Sequence, residues 1–229
     1  MNRRWLLILL LLSTIVFAHA REKMPDVQMP DLKKIKRDSV PIYQGVNVKL
    51  DIAMPIIEAV RSLGKIQNYE MALNVRMANR FYPTWEMGYA WAECGADGGQ
   101  YKGAGGFGRL GLDLAVIKKG RAENNLLVGV RVGGAYQGYQ MTDVKQNLDY
   151  WPSIPLNFYN QNRFDCWGEI VVGCQVYLWK GFLMGWFGRV KLLFTTGVEA
   201  NAVLPYYVPG LGFREDFNWG FNYYIGYRF

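Results

Sequence analysis

Thirteen charged side chains recur at alternate positions within otherwise apolar stretches: Lys49, Asp51, Glu70, Arg76, Arg80, Glu86, Arg109, Asp113, Arg131, Glu169, Arg189, Lys191 and Arg228. Carboxylates held close together can divide general acid and base work, and carboxylates beside cations can simply pair. The catalytic option lacks a base. His19 is the only histidine, so the usual Ser-His or Asp-His arrangement has none within the body of the chain. No carboxylate pair falls in a recognisable catalytic constellation, and the chain is expected not to be an enzyme. Cys94, Cys166 and Cys174 lack the paired spacing of a metal site, so neither metal nor cofactor is expected. Gly103-Ala104-Gly105-Gly106-Phe107-Gly108 matches the dinucleotide fingerprint G-x-G-x-x-G, but that motif needs a βαβ unit. Here an alternating strand follows, and the stretch is expected to be a glycine-rich loop.

The elements that must position these charges have a period of two. Eight stretches alternate large apolar residues with small, polar or charged ones: 45–54, 69–81, 84–92, 109–116, 125–134, 164–178, 182–194 and 217–229. In the last, Phe217, Trp219, Phe221, Tyr223, Ile225, Tyr227 and Phe229 form one face, and Asn218, Gly220, Asn222, Tyr224, Gly226 and Arg228 the other. Alternation of this length is the signature of β-strands. The connections alternate too. Short ones are expected around Tyr82-Pro83, Lys118–Asn124 and Trp179–Gly181. Long ones are expected at Pro55–Asn68, Glu93–Gly106, Tyr139–Arg163 and Thr196–Asp216. Eight strands with short turns at one rim and long loops at the other predict an all-β, eight-stranded antiparallel up-and-down transmembrane β-barrel over residues 43–229.

Residues 1–20 carry Arg3 and Arg4, a largely apolar run from Trp5 to Phe17, and Ala18-His19-Ala20 at the end. This is the pattern of a cleaved secretory signal peptide. Residues 21–42 are charged, contain Pro25, Pro30 and Pro41, and predict a flexible periplasmic linker. Losing the leader would lower the net charge from +7 to +5, with no concentrated basic patch, so nucleic acid is not an expected partner. The odd cysteine count is no disulfide framework. Cys166 and Cys174 would lie roughly 26 Å apart along one strand, while a Cys94–Cys166 pairing stays open.

Volume decides which face points inward. The large apolar face has about forty side chains, too many for an eight-stranded interior that side chains only just fill. The smaller face suits a narrow lumen, so lipid is the expected solvent of the large one. Tyr69, Phe81, Trp85, Trp91, Phe182, Phe194, Phe217 and Phe229 fall near strand ends, as interfacial girdles require. A soluble periplasmic lipocalin-like carrier, with the apolar face inward around a ligand, is the competing arrangement.

The signal peptide, the period-two strands and the terminal Tyr223-x-Ile225-x-Tyr227-x-Phe229 resemble the small outer-membrane β-barrel proteins of the OmpA/OmpX-like porin superfamily. That resemblance implies the outer membrane of a Gram-negative bacterium, outer-membrane lipid around a monomer, and an assembly machinery that reads Tyr223, Ile225, Tyr227 and Phe229. It specifies architecture and says little of activity. The thirteen lumen charges are expected to pair into a network that closes the barrel, leaving a structural or adhesive role to the long loops. Trp151, Phe158, Tyr159, Tyr206 and Tyr207 are the candidate contacts for a protein or glycan partner, or they pack over the barrel mouth. The alternative is a small pore. Eight basic lumen residues against five acidic ones would then favour anions.

Overall fold

The computed structural model describes residues 41–53, 55–56, 66–78, 80–96, 99–116, 124–145, 155–195 and 204–229. The leader and nearly all of the linker lie outside the described residues. The unit Val40–Phe229 carries the sheet.

Residues whose side chains alternate in character leave every backbone group free to pair sideways, and the chain pairs them all the way round. The strands are β1 (Tyr43–Asp51), β2 (Ile66–Met77), β3 (Phe81–Ala96), β4 (Gly99–Ala115), β5 (Asn125–Lys145), β6 (Pro155–Trp179) and β7 (Phe182–Leu193). Two short strands, β8 (Tyr207–Val208) and β9 (Gly212–Phe213), pair with each other, and β10 (Phe217–Arg228) ends the sheet. Each long strand runs antiparallel to its neighbours, and β1 pairs with both β2 and β10, so the eight form a closed barrel. Reciprocal bonds between Val46 and Phe229, at 2.9 and 3.2 Å, extend the closing pair to the last residue. Closure leaves no sheet edge around the ring where all eight strands run side by side.

Three expectations on the connections change. The first turn lies at Ala78–Arg80, where Ala78 has φ 47° and the Arg80 amide donates to the Met77 carbonyl. Pro83 sits inside β3, near a strand start, where a missing donor is tolerated. Glu93–Gly106 is not a loop, because β3 and β4 stay paired up to Ala96 opposite Gly99. The Gly103–Gly108 stretch is therefore strand. Most of Tyr139–Arg163 is strand as well, with bulges between Tyr139 and Met141 and between Met141 and Val144. The pattern reverses there and hid the pairing: the outer face turns small and polar at Ala104, Gly138 and Asn162, while the inner face turns apolar at Ala92, Tyr101, Tyr139 and Met141. As a result β3–β6 rise well above β1, β2, β7 and β10 on one side of the barrel.

Inside, bulk on one strand lies over a glycine on the next, the small-against-large arrangement of narrow barrels. A Cβ on Gly133 would stand 2.5 Å from the Trp167 ring, and one on Gly173 2.3 Å from Phe187. Gly133→Leu should therefore push Trp167 out of the lumen and destabilise the barrel by about 1–3 kcal/mol. Urea unfolding of the detergent-folded protein measures this, and adding Trp167→Ala should regain part of the loss.

Candidate functional site

Ten of the thirteen predicted lumen charges are buried: Lys49, Asp51, Glu70, Glu86, Arg109, Asp113, Arg131, Glu169, Arg189 and Lys191. Three are not. Arg80 is exposed in the β2–β3 turn, and Arg76 and Arg228 are half-buried near the short-turn rim. Arg228 reaches the Gln44 carbonyl and lies 5.2 Å from the Tyr177 ring centroid. These three sit at strand ends, where the side chain can turn toward the rim. Their departure removes the basic excess: the ten buried ones are five cations and five carboxylates, and a further buried carboxylate, Asp165, is paired with Arg163 and Arg214.

Period two points these groups inward, and the barrel's width brings them into one cluster. Glu86 on β3 is the meeting point. It takes Arg189 Nη1 at 2.7 Å, Arg109 Nη1 at 2.9 Å and Arg131 Nη1 at 2.6 Å. Arg109 also meets Glu70 at 2.8 Å and Glu169 at 2.9 Å, and Arg189 meets Glu169 at 2.9 Å. Arg131 completes the set with Asp113 at 2.9 Å. The Tyr224 hydroxyl donates to Glu70, and Trp167 Nε1 donates to Glu169 at 2.6 Å. Isolated charges would be expensive in such a place, and each guanidinium here has at least two carboxylates. The arrangement binds strands together.

Below the network the lumen is filled by Tyr82, Leu127, Val171, Phe187 and Tyr224. Lys49 Nζ lies 4.7 Å from the Phe187 ring centroid and 5.1 Å from that of Tyr224, a cation over two aromatic faces. Asp51 is held by the amides of Ala53 and Tyr223, at 2.9 and 3.1 Å, and by Asn222 Nδ2 at 2.6 Å.

Above the network, the segment from Leu204 to Phe213 turns inward as a plug. Its tip between β8 and β9 needs glycine: Gly210 has φ 76°, and a Cβ there would stand 2.6 Å from the Phe107 ring. The tip's carbonyls serve lumen cations. Gly210 accepts from Arg109 Nη2 at 2.8 Å and Lys191 Nζ at 2.7 Å, and Leu211 accepts from Lys191 at 3.1 Å. The Tyr101 hydroxyl donates to the Tyr207 carbonyl at 2.8 Å, and Val208 and Leu211 are fully buried. Arg214 ties the returning chain to Asp165 at 2.7 Å and to the Thr195 carbonyl at 2.7 Å.

The candidate loop contacts divide accordingly. Tyr207 is buried in the plug, where its carbonyl is needed, and Tyr206 packs edge-on against Phe213 with centroids 5.4 Å apart. Phe158 is half-buried on β6 and Tyr159 exposed; Trp151 lies outside the described residues. The open Cys94–Cys166 pairing is not made, both being thiols. Tyr223, Ile225, Tyr227 and Phe229 all lie on the outward face, with Tyr227 and Phe229 edge to face at 5.0 Å. Sequence reasoning missed Tyr101, Asp165 and Arg214. The signal for Tyr101 was present, since Tyr101, Gly103, Gly105 and Phe107 keep phase with Arg109 and Asp113.

Replacing Arg189 by Met should take one cation from Glu70, Glu86 and Glu169, leaving Arg109 to be shared among them, and destabilise the barrel by about 3–5 kcal/mol. Arg131→Met combined with Asp113→Leu should cost less than the sum of the two single changes. Both are measured by urea unfolding in one detergent.

The profile of the family DUF6048, described as a domain of unknown function, matches residues 2–229, and the chain belongs to that family. No curated protein matches the chain.

Proposed function

We propose that this DUF6048 chain is a non-catalytic, non-conducting outer-membrane β-barrel of a Gram-negative bacterium, with a structural or adhesive role carried by the raised side of its sheet. The observation that carries the reading is the inverted distribution of side chains. Charges fill the interior, while the outside shows a continuous apolar belt: Leu110 is 65% exposed, Val130 and Val132 63%, and Trp219 75%. A water-soluble protein does not expose such an area. Lipid is the solvent in which this surface is stable.

The belt's height agrees. From Phe81 to Trp91 along β3 is roughly 33 Å of strand, or about 25 Å vertically at the usual tilt. Exposed aromatics mark both limits. Phe81, Phe182, Tyr227 and Phe229 lie at the short-turn rim, and Tyr69, Trp91, Phe194 and Phe217 at the other. A lipocalin-like carrier would need a cavity where the ion pairs are. A pore would need a path past both the plug and the network, and without a basic excess among the buried charges it would have no anion preference. In this reading the chain acts as a monomer, Tyr223, Ile225, Tyr227 and Phe229 are the strand presented to the assembly machinery, and Tyr159 is, among the described candidate contacts, the exposed aromatic offered to a protein or glycan partner.

On gels the protein from the outer-membrane fraction should migrate differently before and after boiling in detergent. A soluble protein without that shift would contradict the reading. In planar bilayers the barrel should be silent. It should remain silent when residues 208–211 are replaced by a Gly-Ser linker, because the arginine network lies beneath. Discrete conductance steps from that variant would show that the plug is the only seal.

A further inference from the structure

The outer face of the raised sheet departs from the pattern of the belt. Below, outward positions carry Leu110, Leu112, Val130 and Val132. Higher up, the row running across the four strands reads Trp91, Ala104, Gly138 and Asn162, each opposite the next. The row above begins Glu93, Lys102 and Gln140, with Glu93 and Lys102 paired at 2.5 Å. Two aromatic residues, Tyr89 and Trp91, therefore wall one side, small residues form the floor, and the amides of Asn160, Asn162 and Gln140 wall the other. The result is a groove of about 770 Å³.

This lining is specific in its chemistry. Aromatic faces exposed at a wall attract the C–H faces of a sugar ring, much as they pack against other apolar edges. Amides supply both donors and acceptors, which hydroxyl groups need in equal measure. The Glu93–Lys102 pair is about half exposed and adds one strong acceptor and one strong donor. An acyl chain has no use for these polar groups. The groove's volume lies in the range of small-ligand sites.

Its position selects the source of the sugar. Trp91 lies at the upper limit of the apolar belt, so the groove opens at headgroup level, directly above Leu110 and Val132. We infer that this groove holds the saccharide headgroup of a glycolipid of the surrounding outer leaflet, with the acyl chains lying against the belt below. The inference rests on the membrane reading above. In it, Trp91 and Tyr89 stack on the sugar, and Asn162 and Gln140 bond its hydroxyls. One lipid would thus be retained at a fixed place on the barrel, on its raised side.

The test uses the full-length protein in nanodiscs of phosphatidylcholine and phosphatidylglycerol. Short-chain lipopolysaccharide is titrated in, and the saccharide released from it is titrated separately. The unchanged protein should bind the glycolipid saturably. Trp91→Ala and Asn162→Ala should each weaken binding by about fivefold or more, as loss of a central contact does. Tyr43→Ala, an exposed aromatic at the opposite rim, should leave it unchanged. Equal affinity in all four proteins, or no saturable binding, would overturn the inference. Free saccharide binding as tightly as the glycolipid would overturn the lipid source. The boiling-dependent gel shift is recorded on each variant. A protein that never enters the nanodisc contradicts the membrane reading, whereas one that enters and shifts but does not bind contradicts the groove alone.

Discussion

Glu86 is the carboxylate on which this barrel depends. Three guanidinium groups from β4, β5 and β7 converge on it, so one side chain on β3 is coupled to strands around much of the ring. The coupling follows from width. Eight strands leave an interior about one or two side chains across, and charges pointed into that space cannot avoid each other or reach water. They must pair, or be held as Lys49 is over aromatic rings, or not be there. Everything else about the lumen follows from that constraint, including the aromatic packing beneath, the glycines that make room for it, and the lack of a basic excess among the buried charges of the described residues.

The plug completes the same arrangement by other means. Arg109 and Lys191 have more donor capacity than the lumen carboxylates use, and the carbonyls of Gly210 and Leu211 take up the remainder. Backbone oxygen serves well here because it adds no charge to a balanced set. The inward segment is thus held by the network, and it in turn covers the network from the open side. In the function proposed above, the working surface is the outside, at the belt and the raised wall of β3–β6.

Much of this was legible in the sequence, and for a physical reason. Wherever lipid faces one side of a strand and a crowded lumen the other, the two sides must differ, so the period is strong and the lumen residues can be named. Ten of the predicted charges sit where the alternation put them. Legibility ends where that contrast ends. At strand termini Arg76, Arg80 and Arg228 can reach the rim. Above the belt the large residues, such as Tyr101, Tyr139 and Met141, change to the inner side and the outer side turns small and polar, so the upper halves of β3–β6 read as loops. The plug was hidden differently. "AVLPYYVPGLGF" has the proline and glycine of a turn, but its inward direction is set by carbonyls meeting Arg109 and Lys191 from distant strands. Tyr206 and Tyr207 were aromatic enough to suggest a sticky surface, yet the same character suits a lid.

The account's central claim is that lipid, and not water or a ligand, meets the large apolar face. Collisional accessibility of a spin label at Val130, in a variant with Cys94, Cys166 and Cys174 replaced by alanine and folded into lipid vesicles, tests it most directly. Val130 lies opposite Leu112 on β4 and Ile170 on β6, within the apolar belt, and is 63% exposed. The account predicts strong relaxation by dissolved oxygen, which concentrates in the bilayer, and little by a water-soluble nickel complex. The opposite pattern would mean that water meets the outside of the barrel, and the membrane reading would fall.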